Sequence, residues 1–235
     1  MKKLAALFAL LMASFLANAQ QTAFPITFRY DTKGQKPFEV SVPVPDGNYL
    51  VTMKIGSSKE AGSTFVKAES RRLCVNELKT ARGTVETVCF VVNKRDYHIR
   101  ETITDRDGNK RESITDVTLK MRENYKLNWD DYLTLEIAGD APKVSEIRIE
   151  PTNDAVTIFL CGDSTVVDQD IEPWASWGQM FPWFWNEKVA VANYAESGER
   201  TDSFIAAGRL RKILSVMKSG DYVFVEFGHN DQKIN

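Results

Sequence analysis

An antiparallel β-sandwich of the jelly-roll kind, followed by a parallel α/β unit, is the fold class this sequence predicts. Three observations carry that expectation. Residues 23–150 read as short alternating runs separated by turn residues, with no helix-period segment among them. After Pro151-Thr152-Asn153-Asp154 the alternation gives way to near-continuous apolar runs, as strands buried on both faces require. Between two of those runs lies a helical stripe, so strand, helix and strand form a β-α-β unit.

The elements follow in order. Lys2 and Lys3 open the chain, Leu4 to Leu16 is apolar apart from Ser14, and Ala17-Asn18-Ala19 precedes Gln20. A basic start, a short apolar centre and a small-x-small exit describe a secretory signal peptide over residues 1–19. The run is too short to span ~30 Å of hydrocarbon, and no other stretch approaches its length. A secreted or periplasmic protein without a membrane span is expected.

Ten candidate strands come next: Ala23–Tyr30, Phe38–Val42, Tyr49–Ile55, Thr64–Ala68, Leu73–Leu78, Val85–Val92, His98–Thr104, Ser113–Met121, Tyr132–Ala138 and Val144–Glu150. Turn chemistry punctuates them at Pro45-Asp46-Gly47-Asn48, Ala81-Arg82-Gly83 and Asp105-Arg106-Asp107-Gly108-Asn109. The second half offers strands at Val156–Leu160, Val189–Ala192 and Tyr222–Glu226. A helix is predicted over Ser203–Met217, with Phe204, Ala207, Leu210, Ile213, Leu214 and Met217 on its stripe. The domains expected are a sandwich over 20–152 and an α/β part over 155–235.

Composition narrows the chemistry. With 43% hydrophobic and 26% charged residues the chain has globular proportions, which excludes disorder and fibrous repeats. Thirty Lys and Arg against 32 Asp and Glu leave a net charge of −2, so nothing draws it to nucleic acid. Two histidines and three cysteines, without C-x-x-C or H-E-x-x-H, argue against a zinc site. P-loop and G-x-G-x-x-G patterns are also missing. No cofactor is expected.

Each strand of the second half ends in small and polar residues: Cys161-Gly162-Asp163-Ser164-Thr165, Asn193-Tyr194-Ala195-Glu196-Ser197-Gly198 and Phe227-Gly228-His229-Asn230-Asp231. Ligand sites of open α/β sheets lie at such carboxyl ends, so the three segments should converge. Ser164, at a bend just past a strand, is placed as a nucleophile with its own N–H free for an anion. Gly198 offers a second backbone N–H, since no Cβ blocks close approach. Asn230 offers a side-chain amide. Three donors around a serine hydroxyl make an oxyanion hole for acyl transfer.

These blocks resemble the first three of the SGNH (GDSL) hydrolases. Trp177-Gly178-Gln179-Met180, Asn193-x-Ala195-x-x-Gly198 and Phe227-Gly228-His229-Asn230-Asp231-Gln232-Lys233 are similar to the rhamnogalacturonan acetylesterase branch, which deacetylates pectin. Asp46-Gly47-Asn48-Tyr49 and Leu127-Asn128-Trp129-Asp130-Asp131 resemble the N-terminal β-sandwich of bacterial members. The resemblance implies a galactose-binding-like sandwich, then a flavodoxin-like α/β/α hydrolase domain. It implies Ser164 as nucleophile, with the Ser164 N–H, Gly198 N–H and Asn230 amide as oxyanion donors. The implied partner is an acetylated plant polysaccharide. Two departures stand out. Gly198-Glu199-Arg200-Thr201 replaces the common Gly-Arg-Ser, and the Asp-x-x-His base of the family has no counterpart, since Arg95 and Glu226 precede His98 and His229 by three. The hydrolase part is therefore expected to be C-terminally truncated and the chain inactive as it stands.

The remaining residues read more plainly. His229 is expected to line the substrate site beside Asn230 rather than act as base. Trp177, in an aromatic cluster with Trp174, Phe181, Trp183, Phe184 and Trp185, is the member expected to meet substrate. Cys74 and Cys89 flank a hairpin expected to turn at Thr80–Gly83; a disulfide and two separate thiols both fit. Cys161 reads as a small buried side chain. The function expected is release of acetyl groups from rhamnogalacturonan through an acyl-Ser164 intermediate. The alternatives are an SGNH esterase acting on acetylxylan or lipid, and a non-catalytic carbohydrate-binding protein.

Overall fold

Along β3 (Gly47–Gly56), Tyr49, Val51, Met53 and Ile55 fall on one face and are buried, as the two-residue period of a strand dictates. A computed structural model describes residues 23–233; the expected signal peptide lies outside the described residues. β3 pairs antiparallel with β10 (Val144–Pro151) and β6 (Val85–Lys94), and β1 (Ile26–Arg29) completes a four-stranded sheet of order β1-β10-β3-β6. A second antiparallel sheet runs β2 (Phe38–Pro43), β9 (Tyr132–Ala141), β4 (Gly62–Ala68), β5 (Arg72–Thr80). Val51, Met53, Phe90, Ile147 and Ile149 of the first sheet share one apolar core with Val40, Val66, Leu133, Leu135 and Ile137 of the second.

The ten expected strands are present, with shifted ends and one altered partnership. β5 and β6 belong to different sheets, so residues 81–84 carry the chain from one sheet to the other and make no hairpin. Cys74 and Cys89 are accordingly unpaired: Cys74 Sγ contacts the Arg72 carbonyl at 3.6 Å, and Cys89 Sγ the Thr52 hydroxyl at 3.7 Å. Cys161 is also free and is buried.

β7 (His98–Thr104) and β8 (Lys110–Asp116) form a separate hairpin. The strand expected to reach Met121 stops at Asp116, because Thr118 donates its N–H to the Ala207 carbonyl at 2.8 Å instead of to a strand. Two 3₁₀ turns follow, Met121–Tyr125 and Leu127–Trp129. The single helix expected over 203–217 is two helices, α2 (Thr201–Ala206) and α3 (Arg209–Val216). Gly208 parts them at φ +80°, and a Cβ there would press on Ile99 of the hairpin at 3.2 Å.

Three parallel strands complete the fold in the order β12 (Val189–Asn193), β11 (Val156–Gly162), β13 (Tyr222–Glu226). One face of this sheet, through Phe159, Cys161 and Ala192, packs on Phe204 and Ile213 of the helices and on Ile99, Val117 and Trp129. The opposite face, through Ile158, Leu160 and Val191, is covered by Val166 and Val167 and by Phe181. That cover is a loop, the one-turn helix α1 (Trp177–Met180) and a 3₁₀ turn over Phe181–Phe184.

The expected sandwich followed by a flavodoxin-like α/β/α domain is thus corrected. Ten of the thirteen described strands lie in antiparallel pairings, and the described helices are few and short. Pro173 and Pro182 punctuate the stretch that would have formed the second helical layer. On the other face, residues from before position 130 fill space that helices would otherwise take. No described helix is long and apolar enough to cross a membrane.

Buried charges tie the two halves together. Arg72 Nε donates to Asp168 Oδ2 at 2.7 Å, Lys126 Nζ to Glu196 Oε2 at 2.9 Å, and Lys212 Nζ to Asp96 Oδ1 at 2.9 Å. Arg209 donates to Glu123, whose other oxygen takes the Trp129 indole N–H at 3.1 Å. Arg95 lies between the rings of Trp129 and Tyr194, 4.5 and 4.4 Å from their centroids.

Candidate active site

The carboxyl ends of β11, β12 and β13 do converge, and hydrogen bonds hold them. The Asp163 carboxylate, buried just beyond β11, accepts the Thr165 N–H and hydroxyl, both at 2.9 Å on Oδ1. Its Oδ2 accepts Asn230 Nδ2 at 3.2 Å from the segment after β13. Asn230 Nδ2 also donates to the Glu199 carbonyl at 3.0 Å, beyond β12. One buried amide therefore bridges all three segments. Asn193 adds a second tie: its Nδ2 reaches the Val166 carbonyl at 2.6 Å and Asp168 at 2.8 Å, and its Oδ1 accepts the Ala195 N–H. Asp231 fixes the last loop by accepting the N–H groups of Thr201 and Gly228. The Thr201 N–H is the main reason its carboxyl lies below the usual range.

Ser164 sits in the turn after Asp163, half-buried, with Gln169 Nε2 on its carbonyl at 3.3 Å. Neither its hydroxyl nor its N–H bonds to a described residue. The Gly198 N–H is likewise unengaged by any described residue, and its φ of +76° suits glycine. Both amide hydrogens of Asn230, the third expected oxyanion donor, serve Asp163 and Glu199. Gly198 and Asn230 line a cavity of about 580 Å³ together with Lys120, Glu199, Arg200 and Lys233.

Trp177 stands beside the Ser164 loop. Its N–H meets the Thr165 carbonyl at 3.2 Å, and its indole Nε1 donates to Glu226 Oε2 at 2.8 Å. Glu226 Oε1 takes the Thr165 hydroxyl at 2.7 Å, so one carboxylate clamps both. The indole keeps 38% of its surface exposed. His229 is exposed and bonds to no described residue. His98 pairs instead with Asp116 across the β7–β8 hairpin at 2.7 Å.

Residues 120–126 of the first half also reach the site, which sequence reasoning missed. Lys120 Nζ donates to the Ser197 carbonyl at 2.7 Å and pairs with Glu199 Oε1 at 2.8 Å. Arg122 donates to the same carbonyl and, through Nε, to Glu196 Oε1 at 2.6 Å. Burial pushes the Glu196 carboxyl up, but the Lys126 and Arg122 cations prevail and hold it below its ordinary value. Glu199, the departure from Gly-Arg-Ser, accepts Lys120 and the Ser203 hydroxyl. The pairing of Glu199 with Lys120, and of Glu196 with Arg122 and Lys126, joins residues some seventy to eighty positions apart and leaves no local pattern to read.

No family model matches the chain. Rhamnogalacturonan acetylesterase RhgT of Bacillus subtilis is 46% identical over 80 residues, covering 33% of this chain and 34% of that protein. The rhamnogalacturonan acetylesterase of Emericella nidulans is 34% identical over 88 residues, 37% of this chain and 34% of its own length. YxiM, an uncharacterized esterase of Bacillus subtilis, is 27% identical over 206 residues, 86% of this chain and 45% of that protein. The chain thus spans between a third and a half of the length of these relatives, all of them named as esterases.

Proposed function

We propose that this chain carries the nucleophile and oxyanion donors of a secreted SGNH-type carbohydrate esterase that removes acetyl groups from rhamnogalacturonan. The observation that carries the reading is the Asn230 bridge, which gathers the ends of three parallel strands around the loop of Ser164. Similarity to two rhamnogalacturonan acetylesterases supports the substrate. An export signal over 1–19 fits a polymer found outside the cell.

In this reading Ser164 Oγ attacks the acetyl carbonyl, the sugar alkoxide leaves, and water releases acetate from the acyl-Ser164 ester. The Ser164 and Gly198 N–H groups, free of other acceptors, receive the tetrahedral oxyanion. Asn230 holds Asp163 and Glu199, so it sets the spacing of those donors and gives its own amide to the oxyanion only by exchanging a partner. Trp177, steadied by Glu226, presents an indole face to a sugar ring. His229 lines the approach beside Asn230. The Ser164 hydroxyl proton passes through solvent to the departing sugar oxygen, and the deacylating water returns a proton to Ser164. With solvent in place of a side-chain base, turnover is slow and rests on the oxyanion donors.

Acetate release from acetylated rhamnogalacturonan, compared with acetylxylan and with glycan binding alone, tests this. Release from rhamnogalacturonan that Ser164→Ala abolishes supports the proposal. Preference for acetylxylan transfers the specificity. Binding that is equal in both proteins, without release, establishes a carbohydrate-binding protein instead.

A further inference from the structure

The Ser197 carbonyl and the Gly198 N–H are the two ends of a single peptide group. Such a group is planar and trans, so fixing the direction of its C=O fixes the opposite direction of its N–H. The carbonyl end receives two cationic donors, Lys120 Nζ at 2.7 Å and Arg122 Nη2. The N–H end is free of described acceptors and belongs to the residue that lines the 580 Å³ cavity with Asn230. Each cation is held a second time, by a buried carboxylate. Lys120 is also paired with Glu199, which is 3% exposed, and Arg122 with Glu196, which is 1% exposed. A hydrogen bond from a charged donor is roughly twice as strong as a neutral one and draws electron density toward the oxygen. Draining the carbonyl in this way makes the N–H at the other end a stronger donor.

We propose that Lys120 and Arg122, contributed by the first half of the chain, are positioning residues that aim and polarise the Gly198 N–H as an anion donor. This rests on the esterase reading for its catalytic consequence, and on geometry alone for the aim of the amide. The first half then acts in the site itself.

A labelling pattern makes the amide directly observable. Ser197-Gly198 and Ser219-Gly220 are the two Ser-Gly steps in the sequence, so carbonyl-¹³C serine with ¹⁵N glycine gives two linked signals. Gly220 serves as the internal control, with open space around its Cα. In Lys120→Met and Arg122→Met the Ser197 ¹³C and Gly198 ¹⁵N resonances should move upfield while Gly220 stays in place. Arg122→Lys should restore them. If Lys120→Met does not fold, Arg122→Met still decides, because Glu196 keeps Lys126 at 2.9 Å. The slow Ser164-dependent turnover of 4-nitrophenyl acetate that oxyanion donors sustain without a base gives the second readout. Each Met variant should lower kcat about 10-fold with KM unchanged, less than the ~10²–10³ lost when an oxyanion donor is removed outright. An unmoved Gly198 signal in both Met variants overturns the positioning role, as does a moved signal with unchanged kcat. If the unaltered chain shows not even the slow Ser164-dependent turnover that oxyanion donors alone sustain, the esterase reading fails, while the resonances still decide whether the two cations aim the amide.

Discussion

Arg72 and Asp168 face each other at 2.7 Å with side chains 2% and 0% exposed, joining β5 to the loop that carries Ser164. Asp168 also accepts Asn193 Nδ2, and Arg72 donates to the Asn93 carbonyl and Asn128. A pair so fully desolvated adds little net stability, but losing one member leaves a bare charge in the core. Asp168→Ala should therefore destabilise the protein by about 3–5 kcal/mol. Urea unfolding followed by circular dichroism checks this, and Arg72→Met combined with Asp168→Leu should recover most of the loss.

The same ties bear on residues 20–152 taken alone. That piece keeps the core shared by the two antiparallel sheets, so it should still melt cooperatively. It loses Asp168, Glu196, Arg209 and Lys212, the partners of Arg72, Lys126, Glu123 and Asp96. Its melting temperature should fall well below that of the whole chain in parallel calorimetric scans. A featureless scan would show that the junction, and not the core, holds these sheets together.

Glu69 is buried at the turn between β4 and β5, where its Oε1 accepts the Thr134 N–H at 3.0 Å. Burial pushes its carboxyl up to about 7, against the pull of Arg72. The folded protein thus holds this proton more tightly than the unfolded chain does. The resulting stability is full below pH ~4.5 and is lost as pH rises through about 7. Its size is of order 3 kcal/mol. Glu69→Gln keeps an acceptor for Thr134 and should flatten the fall in stability between pH 5 and 8. Urea midpoints for both proteins across that range supply the comparison.

Burial also raises the thiols of Cys74 and Cys161, each to about 12, so neither offers a thiolate near neutral pH. A disulfide-exchange reagent should leave both untouched in the native protein and reach all three cysteines in guanidinium. Reduction should not change the intact mass, since the three cysteines are free.

Much of the strand order was legible because alternation is a local signal. Val51, Met53 and Ile55 announce their face without reference to any partner. The convergence of the segments that follow β11, β12 and β13 was legible for a related reason, since parallel strands bring their carboxyl ends to one edge. Pairing was not. Cys74 and Cys89 read as hairpin neighbours, yet β5 and β6 go to different sheets, a choice made by the side chains they bury. The helix over 203–217 kept its stripe but broke at Gly208, where Ile99 from a distant hairpin presses in. Lys120 and Arg122 gave no warning either, because a cation bound to a carbonyl 75 residues away looks in sequence like any solvated side chain.

Trp129 gives the seam between the halves an optical signature. It is the buried member of five tryptophans, at 5% exposure, whereas Trp174, Trp177, Trp183 and Trp185 show between 38% and 68%. Its indole touches the Arg95 guanidinium, meets Tyr194 edge-on at 5.7 Å and hydrogen-bonds Glu123. Iodide in solution quenches the four exposed indoles and leaves Trp129 as the residual emitter. Its wavelength and lifetime then follow the closeness of Tyr194 and of the Arg209 guanidinium, 5.7 Å from its ring centroid, which reach it only while the halves are joined. Without any attached dye, the protein reports on the integrity of its own seam.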